Sequence, residues 1–395
     1  MSKVLFINGP FHGHINPTLA LAEELVKRGE EITYFSSEEF REKIEKTGAG
    51  FKNYGKIPSI SIESEKLGPQ VFIELVDGLI RFGDKLISNI LPQLEAEKYN
   101  YVIHDSMLGC GNIIAKILNI PSVSSFAGYA VAHLPKLDDA SLTNIPKLKE
   151  YFIIKNKLKD TYGIEISNIM DVPNLKGDLN LVWTSSYFTA GFESFDQSFK
   201  FVGPPDYGRN EDMDFPFQEL LGKKVIYISI GTANFNNADT KRLYDIFFRA
   251  FENSDVVVVM TAYNIDVTNY NIPQNYIVRN YVPQSKILKY TSVAVSHGGM
   301  NSTSDILLNS IPMVLVPFKG DQIVIASRVA ELGAGINLQK GLLTAENFKD
   351  AVEKVLSENC YAENARKISD SFITAGGTLR AVDEILKFKK DRNIP

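Results

Sequence analysis

Short apolar runs alternate along the chain with longer segments whose apolar residues recur every three or four positions. The run KVLFINGP, from Lys3, is rich in β-branched and aromatic residues and is closed by glycine and proline, which predicts a buried strand. In the next segment Leu21 and Leu25 repeat at helical spacing, and Gly29 suits a helix end. EITYFSS then predicts a second strand. A strand, a helix and a strand in this order predict a parallel α/β sheet.

The predicted first helix carries its own start signals. Asn16 suits the N-cap and Pro17 suits the first turn, where its missing N–H is harmless, so the helix is predicted to begin there. His14 lies just before it, in the loop GPFHGHINP. A helix N-terminus disfavours a cation, so this position favours a neutral imidazole.

The same order of elements returns in the second half of the chain. KKVIYISIGT, from Lys223, is again a lysine, an apolar run and a glycine, and a helical segment and the strand DVVVVMTAY follow it. The intervening stretch is rich in proline, glycine and acidic residues, which is typical of a linker. We therefore expect two doubly wound parallel-sheet (Rossmann-like) α/β domains, at residues 1–202 and 223–370, joined by a linker at 203–222. A helical tail at 371–395 has a packing partner that the pattern does not identify.

The composition argues against several classes of protein. Hydrophobic residues make up 44% of the 395 residues and charged residues 23%, as in ordinary globular domains. The net charge of −5, with basic residues clustered only in the tail, argues against a nucleic-acid partner. No apolar run reaches the ~20 residues of a membrane span. Cys110 and Cys360 match neither a disulfide framework nor a zinc site, so we expect a cytoplasmic protein.

Two segments interrupt the regular rhythm of strands and helices, at residues 57–95 and 128–170. Both are rich in Leu, Ile, Phe and Tyr, with scattered Pro and Gly. One interpretation is that they form peripheral helices that cover the sheet. The other is that they form an apolar pocket for a substrate, which His133 could contact. The two interpretations are compatible.

Unusual polar residues and glycines fall where the predicted strands end: His14, Asp105, Gly231, His297 and Asp321. Ligands of open α/β sheets bind beyond the carboxyl ends of the strands. If the two domains face each other across a cleft, these residues converge there. His104 precedes Asp105, and strand alternation directs it to the opposite face of the sheet.

The most informative stretch is SHGGMNSTSDILLNS, from Ser296. Two glycines follow a strand, Ser302 can cap the next helix, and Asp305 completes the spacing of a capping box. The N-terminus of such a helix is an anion site, commonly for phosphate, although an ordinary capped helix would look similar. The chain has neither a Walker motif nor a complete G-x-G-x-x-G, which argues against ATP hydrolysis and dinucleotide redox chemistry. The acidic DMD at 212–214 lies in the predicted linker, so we expect no metal there.

GHINP, SIGT, YVPQ, SHGGMNST and DQ occur in the order and spacing of one enzyme family. On these motifs the chain resembles the UDP-glycosyltransferases, and among them the bacterial macrolide and flavonoid glucosyltransferases. The resemblance implies a GT-B architecture with two facing Rossmann-like domains. It also implies inverting transfer of a hexose from a UDP-sugar to a hydroxyl of an apolar small molecule, with glucose as the expected hexose. The UDP-sugar is a co-substrate, and no metal or other cofactor is implied.

The resemblance also assigns roles to individual residues. His14 is the implied general base, and Asp105 is the carboxylate that holds its imidazole. The residues implied for the donor site are Thr232, Tyr281, Val282, Gln284, His297, Gly299, Asn301, Ser302, Asp321 and Gln322. In this assignment Val282 presents its backbone to the base and Gln284 reaches the ribose. Tyr281 stands where many members have Trp, and a Tyr ring can still stack on uracil. The plant members carry a longer block with an acidic residue for the ribose, which has no assigned equivalent here, so the strictness for UDP over TDP stays open.

The implied chemistry agrees with the residue types. A neutral imidazole, with a pKa near ~6.5, can take the proton of an attacking hydroxyl, and Asp105 can stabilise the resulting cation. Backbone N–H groups and a helix dipole can stabilise the departing diphosphate without a metal. Two alternatives remain open from the sequence: a UDP-sugar epimerase of related architecture and a non-catalytic sensor of nucleotide sugars. A sensor would have no use for the pair His14 and Asp105.

Overall fold

The protein is described from a computed structural model. The structure describes residues 1–60, 69–94, 97–132, 137–172, 175–205, 213–231, 237–263, 265–268 and 270–395, with the side chains of 237–239 left aside. The chain divides into two compact units. The N-terminal unit comprises residues 1–207 together with 375–395, and the C-terminal unit comprises residues 208–374.

Each unit is built on one parallel sheet. Within the described residues, the strands are β1 (Lys3–Ile7), β2 (Glu31–Ser36), β3 (Gly50–Asn53), β4 (Tyr101–Asp105), β5 (Ser122–Phe126), β6 (Leu179–Val182), β7 (Phe199–Phe201), β8 (Val225–Ser229), β9 (Val257–Thr261), β10 (Tyr276–Arg279), β11 (Thr291–Ser296), β12 (Met313–Leu315) and β13 (Gly335–Asn337). The N-terminal sheet has the order β3-β2-β1-β4-β5-β6-β7, and the C-terminal sheet has the order β10-β9-β8-β11-β12-β13. All described strand pairs are parallel.

Helices connect the strands. In the same described ranges they are α1 (His12–Lys27), α2 (Arg41–Glu45), α3 (Pro69–Leu94), α4 (Cys110–Leu118), α5 (Asp139–Leu142), α6 (Lys149–Tyr162), α7 (Asn237–Ala250), α8 (Gln284–Ile287), α9 (Met300–Leu308), α10 (Asp321–Glu331), α11 (Ala345–Ser357), α12 (Asn359–Ala375) and α13 (Gly377–Asp391). Short 3₁₀ turns complete the connections. Each helix of the described part is too short or too weakly apolar to span a bilayer.

The central strand β1 shows why these sequences form a sheet with both faces covered. Its residues Val4 to Ile7 are fully buried, as a continuous apolar run requires. Alternate side chains belong to different cores. Leu5 and Ile7 pack with α3 and α4 on one face, whereas Val4 and Phe6 pack with α1 on the other. The predicted doubly wound α/β class is confirmed, with two such sheets in the chain.

The strand order explains where a ligand would bind. In the N-terminal sheet the order reverses between β1 and β4, and in the C-terminal sheet it reverses between β8 and β11. Beyond the carboxyl ends of the two strands at such a switch point, the connecting loops leave in opposite directions and open a crevice. The residues that follow these four strands are therefore the first candidates for a site in each unit.

Three features differ from the sequence-based expectation. The edge strand β3 was missed, because its four residues Gly50–Asn53 are short and only half-buried. Helix α1 begins at His12, after the N-cap Phe11, so the predicted cap at Asn16 is wrong and Pro17 lies inside the helix. Helix α12 continues past the predicted boundary at residue 370 and ends at Ala375.

The C-terminal tail packs on the N-terminal unit. Ala381, Val382 and Ile385 of α13 are fully buried in the core that contains the apolar face of α1. At the end of α13, Lys389 forms an ion pair with Glu30, and both side chains are almost fully buried. Residues 371–374 belong instead to α12 of the C-terminal unit.

The predicted linker is not one uniform segment. Residues 206–212, which include the first aspartate of the DMD sequence, lie outside the described residues. After them the chain packs within the C-terminal unit, because Phe215 and Leu220 are buried. The Phe217 ring contacts Tyr290, with ring centroids 5.7 Å apart. Apolar residues in this nominally polar stretch therefore attach its second half to the C-terminal unit.

Candidate active site

In the N-terminal unit, His14 and Asp105 meet at the switch point. Nδ1 of His14 lies 2.7 Å from Oδ2 of Asp105. The His14 side chain is 20% exposed, whereas that of Asp105 is 1% exposed. His14 is the third residue of α1 rather than a loop residue, so it still lies in the first turn, at the positive end of the helix dipole.

The alternation of β4 decides which side chain reaches His14. Asp105 follows Tyr101 and Ile103 on the face that packs against α1, so its carboxylate points toward the first turn of that helix. Its other oxygen, Oδ1, accepts a hydrogen bond of 2.9 Å from the backbone N–H of Met107. His104 is fully buried on the opposite face against Gly111, where a Cβ would lie 2.1 Å from that of His104. Burial lowers the pKa of His104, so its imidazole stays neutral.

A buried polar network lies under the first turns of α1, and sequence reasoning missed it. Nδ2 of Asn8 donates to the carbonyl of His14 over 3.0 Å and lies 3.1 Å from both Oγ1 of Thr18 and the hydroxyl of Tyr34. Thr18 Oγ1 in turn lies 2.8 Å from the Tyr34 hydroxyl. These contacts fix the backbone that carries His14. The signal was present, because Asn8 ends the first apolar run and Thr18 lies one helical turn after His14.

In the C-terminal unit, His297 follows β11 and Gly231 lies just beyond β8, the two strands at the switch point. The His297 ring lies between two glycines. A Cβ at Gly231 would come within 2.7 Å of Cε1, and one at Gly299 within 2.5 Å of Nε2. Burial lowers the pKa of His297 to about 4, although the backbone of Ser229 acts in the opposite direction. The ring is therefore neutral at neutral pH and can act as a hydrogen-bonding group without carrying charge.

Helix α9 begins directly after these glycines. Its N-cap is Gly299, and the N–H of Thr303 donates to the Gly299 carbonyl over 2.9 Å. Asn301 and Ser302 therefore lie in the first turn, where backbone N–H groups point out of the helix end and attract anions. The predicted capping box is wrong, because the helix starts at Met300, before Ser302. Glycine at the cap allows a ligand to approach this turn closely.

Asp305, which was predicted to complete a capping box with Ser302, contacts Gln284 instead of forming that box. Its Oδ2 accepts a hydrogen bond of 2.8 Å from Nε2 of Gln284. Oε1 of Gln284 accepts one of 3.0 Å from the hydroxyl of Tyr227. The Gln284 residue is only 7% exposed. The side chain implied to reach a ribose is thus buried, and both ends of its amide are engaged within the protein.

The other residues predicted for the donor site differ in accessibility. Tyr281 is 49% exposed, whereas Val282 is buried. Asp321 is the exposed first residue of α10. The side chain of Gln322 turns back on the preceding loop, where Oε1 accepts hydrogen bonds from the N–H groups of Phe318 and Lys319. The side-chain amide oxygen of Gln322 therefore holds the loop that precedes α10.

Two predicted residues, Thr232 and His133, lie outside the described residues. The described parts of segments 57–95 and 128–170 form mainly helices, and α3 packs against α6. Buried residues of both helices, such as Leu79 and Ile154, contribute to one apolar core beside the sheet. The interpretation as helices that cover the sheet is therefore correct for most of their length.

Comparisons with known proteins give the family. The model of the Erythromycin biosynthesis protein CIII-like, C-terminal domain, matches residues 249–382. The uncharacterised UDP-glucosyltransferase YojK of Bacillus subtilis is 34% identical, over 99% of this chain and 98% of its own length. The NDP-glycosyltransferase YjiC of the same organism is 30% identical, over 99% of this chain and 98% of its own.

Solved structures agree in fold. The calicheamicin glycosyltransferase CalG4 superposes with a TM-score of 0.81 at 23% identity, covering 99% of this chain and 98% of its own. The spinosyn rhamnosyltransferase SpnG, solved with thymidine diphosphate, gives a TM-score of 0.74 at 18% identity, covering 98% and 100%. This chain is accordingly a glycosyltransferase of GT-B architecture, and it belongs to the UDP-glycosyltransferase family.

Proposed function

We propose that this enzyme transfers a hexose from a UDP-sugar to a hydroxyl of an apolar small molecule, and that the hexose is glucose. The transfer is a single displacement that inverts the anomeric carbon and requires no metal. The observation that carries the proposal is the 2.7 Å contact between Nδ1 of His14 and the buried carboxylate of Asp105. The pair resembles the base and its orienting carboxylate in hydrolase triads, where the carboxylate fixes one tautomer.

The geometry supports His14 as the general base. An aspartate that accepts a hydrogen bond from Nδ1–H leaves Nε2 of a neutral imidazole with its lone pair, ready to take a proton. The first turn of α1 favours the neutral ring before the reaction. When the acceptor hydroxyl loses its proton, the new imidazolium lies against the Asp105 carboxylate, whose side chain is 1% exposed and little screened by water.

The leaving group is a nucleoside diphosphate, which gains negative charge as the bond between the anomeric carbon and the diphosphate oxygen breaks and the bond to the acceptor oxygen forms. In the proposal, the first turn of α9 with Asn301 and Ser302 holds this diphosphate. Preorganised N–H groups stabilise developing charge because they need no reorientation at the moment of reaction. His297 contributes a hydrogen bond, because its pKa of about 4 leaves the ring uncharged at neutral pH.

The donor nucleotide stacks on Tyr281 in this proposal, and Asp321 binds hydroxyls of the sugar. Both residues are exposed enough to meet a ligand. We assign UDP as the nucleotide, by analogy with the relative named as a UDP-glucosyltransferase. The relative named as an NDP-glycosyltransferase and the SpnG complex make TDP the first alternative to test.

The acceptor is proposed to be a flavonoid, a macrolide or a phenol. Support comes from the apolar character of segments 57–95 and 128–170 and from exposed apolar residues there, Val131 and Ile153 among them. His133 stays a candidate contact. A phenol is the easiest acceptor, because its hydroxyl has a pKa near ~10 and loses its proton more readily than an alcohol. Both cysteines are free thiols, which agrees with the proposed cytoplasmic setting.

One assay tests the proposed reaction. The protein is incubated with UDP-glucose, EDTA and a panel of flavonoids and macrolides, and glycosides are detected by mass. We expect transfer in EDTA, loss of transfer in His14→Ala, and UDP binding by calorimetry that changes less than tenfold. A strict Mn²⁺ requirement, or parallel loss of UDP binding in His14→Ala, would contradict the mechanism.

A second comparison isolates the proton transfer. An acidic phenol with a pKa near 7 is already largely ionised at pH 8 and needs no base, whereas an alcohol does. His14→Ala should therefore retain far more activity toward the acidic phenol than toward the alcohol, relative to the wild type. Equal losses toward both acceptors would assign His14 a structural role. Turnover of UDP-GlcNAc without any acceptor would indicate an epimerase instead.

A further inference from the structure

Three segments that bear on the donor site are linked by one buried side chain. Tyr227 lies on β8, which leads to Gly231, and Gln284 begins α8 directly after the segment Tyr281 to Pro283. Asp305 lies on α9, one helical turn after Asn301. The amide of Gln284 bonds to both other residues, at 3.0 Å to the Tyr227 hydroxyl and at 2.8 Å to the Asp305 carboxylate.

The chemistry of these contacts is directional. The hydroxyl of Tyr227 donates to Oε1 of Gln284, and Nε2 of Gln284 donates to Oδ2 of Asp305. The second contact is assisted by the charge of the carboxylate, and such hydrogen bonds are stronger than neutral ones. Tyr227 is 1% exposed and Gln284 is 7% exposed, so water competes little for either bond.

We propose that Gln284 is a positioning residue that ties the segment receiving the nucleoside to the helix receiving the diphosphate, and that it does not bind the ribose. This inference rests on the proposed function, in which the C-terminal unit binds a nucleoside diphosphate. A nucleoside diphosphate has a limited span between its base and its phosphates. A protein that holds the two subsites at that span before binding avoids an ordering cost and binds more tightly.

Exchanging the hydrogen-bonding groups of Gln284 and Asp305 tests whether their contact positions the two subsites. In Gln284→Glu the donor that faces Asp305 becomes an acceptor, so two carboxylates oppose each other. We expect the Kd for UDP at pH 8 to rise about tenfold, as for a lost hydrogen bond to a charged group. Adding Asp305→Asn restores a donor and an acceptor in the reverse direction, and the double variant should bind UDP within about threefold of the wild type. Asp305→Asn alone keeps a neutral hydrogen bond and should lose less than Gln284→Glu.

Deoxynucleotides separate positioning from ribose binding. The affinity ratios of UDP to 2′-deoxy-UDP and to 3′-deoxy-UDP are measured by calorimetry for the wild type and for Gln284→Glu. A positioning residue leaves both ratios unchanged while all three affinities fall together. If Gln284 bound the ribose, Gln284→Glu would move at least one of the two affinity ratios toward one, and that result would overturn the inference.

A second variant guards against misfolding. Tyr227→Phe removes only a hydroxyl from a buried ring, and we expect a Kd for UDP about threefold higher with unchanged deoxynucleotide ratios. All affinities are measured well below the midpoint of thermal unfolding, so that a loss of stability alone leaves them unaltered. Wild-type affinity in Tyr227→Phe, or no recovery in the double variant, overturns the positioning role. If the wild type itself does not bind UDP, the proposed function fails before this inference is reached.

Discussion

Replacement of Asp105 by Asn tests the proposed mechanism most directly. Asn has nearly the same shape as Asp, but it carries no charge and can present an N–H instead of an oxygen to Nδ1 of His14. The change removes the stabilisation of the imidazolium and favours the wrong tautomer. The substituted carboxylate contacts Nδ1 of His14 and the backbone N–H of Met107, and both groups belong to the N-terminal unit.

The magnitude follows from the geometry. The closest atoms of the pair are 2.7 Å apart, which places the centres of charge about 4 Å apart. At an effective dielectric constant near 20, that separation corresponds to about 4 kcal/mol. Since each 1.36 kcal/mol changes a rate tenfold, the expected loss in kcat/KM is about 10³. The near-complete burial of Asp105 argues against a smaller value from screening.

The assay is kcat/KM for a phenolic acceptor across pH 5 to 9, together with the Kd for UDP. We expect Asp105→Asn to lose about 10³ in kcat/KM, with the acidic limb of its pH profile shifted to lower pH and UDP affinity within threefold. His12→Gln is the matched control, because His12 is exposed in the same helical turn and its ring packs edge-on against Phe40, away from Asp105 in sequence and in the sheet. Activity of Asp105→Asn within threefold of the wild type would refute the reasoning.

Three further predictions concern the donor site and the tail. His297→Gln should weaken the acid dependence of stability. Between pH 6.5 and 4 the His297 imidazole binds a proton in the unfolded chain but not in the folded one, so acid destabilises the wild type. In urea titrations the unfolding free energy of the wild type should therefore fall by up to about 1.4 kcal/mol more per pH unit than that of the variant. Tyr281→Ala should raise the Kd for UDP about tenfold by removing a stacking surface, whereas Tyr281→Trp should keep it, as calorimetry can check. Lys389→Met leaves the Glu30 carboxylate buried without its cation and should cost about 3–5 kcal/mol of unfolding free energy. Adding Glu30→Gln should recover most of that loss.

Local sequence patterns predicted the strands well. The apolar runs at β1, β4, β8 and β11 are those of a sheet buried on both faces, and parallel pairing follows from the helices between them. Alternation along β4 also predicted that His104 and Asp105 point to opposite faces. Each of these features depends on residues close together in the chain, so a short window of sequence contains the information.

Helix starts were predicted poorly. Pro17 and Ser302 both carry helix-start signals, but α1 starts at His12 and α9 starts at Met300. Propensity at a cap is worth only about 1 kcal/mol. Packing of a helix on a sheet, or the hydrogen bonds from Asn8 beneath α1, outweighs that preference. The true start therefore depends on contacts that the local pattern does not contain.

The sequence by itself determined the two parallel α/β sheets and the strand ends at which the candidate site lies, and the family resemblance implied the pairing of His14 with Asp105. Only the tertiary structure showed that Gln284 is buried between Tyr227 and Asp305, and that Lys389 of the tail pairs with Glu30. These partners are up to 359 positions apart in the chain. A side chain's hydrogen-bonding capacity is visible in the sequence, but its partner depends on which distant groups the folded chain brings within about 3 Å and shields from water.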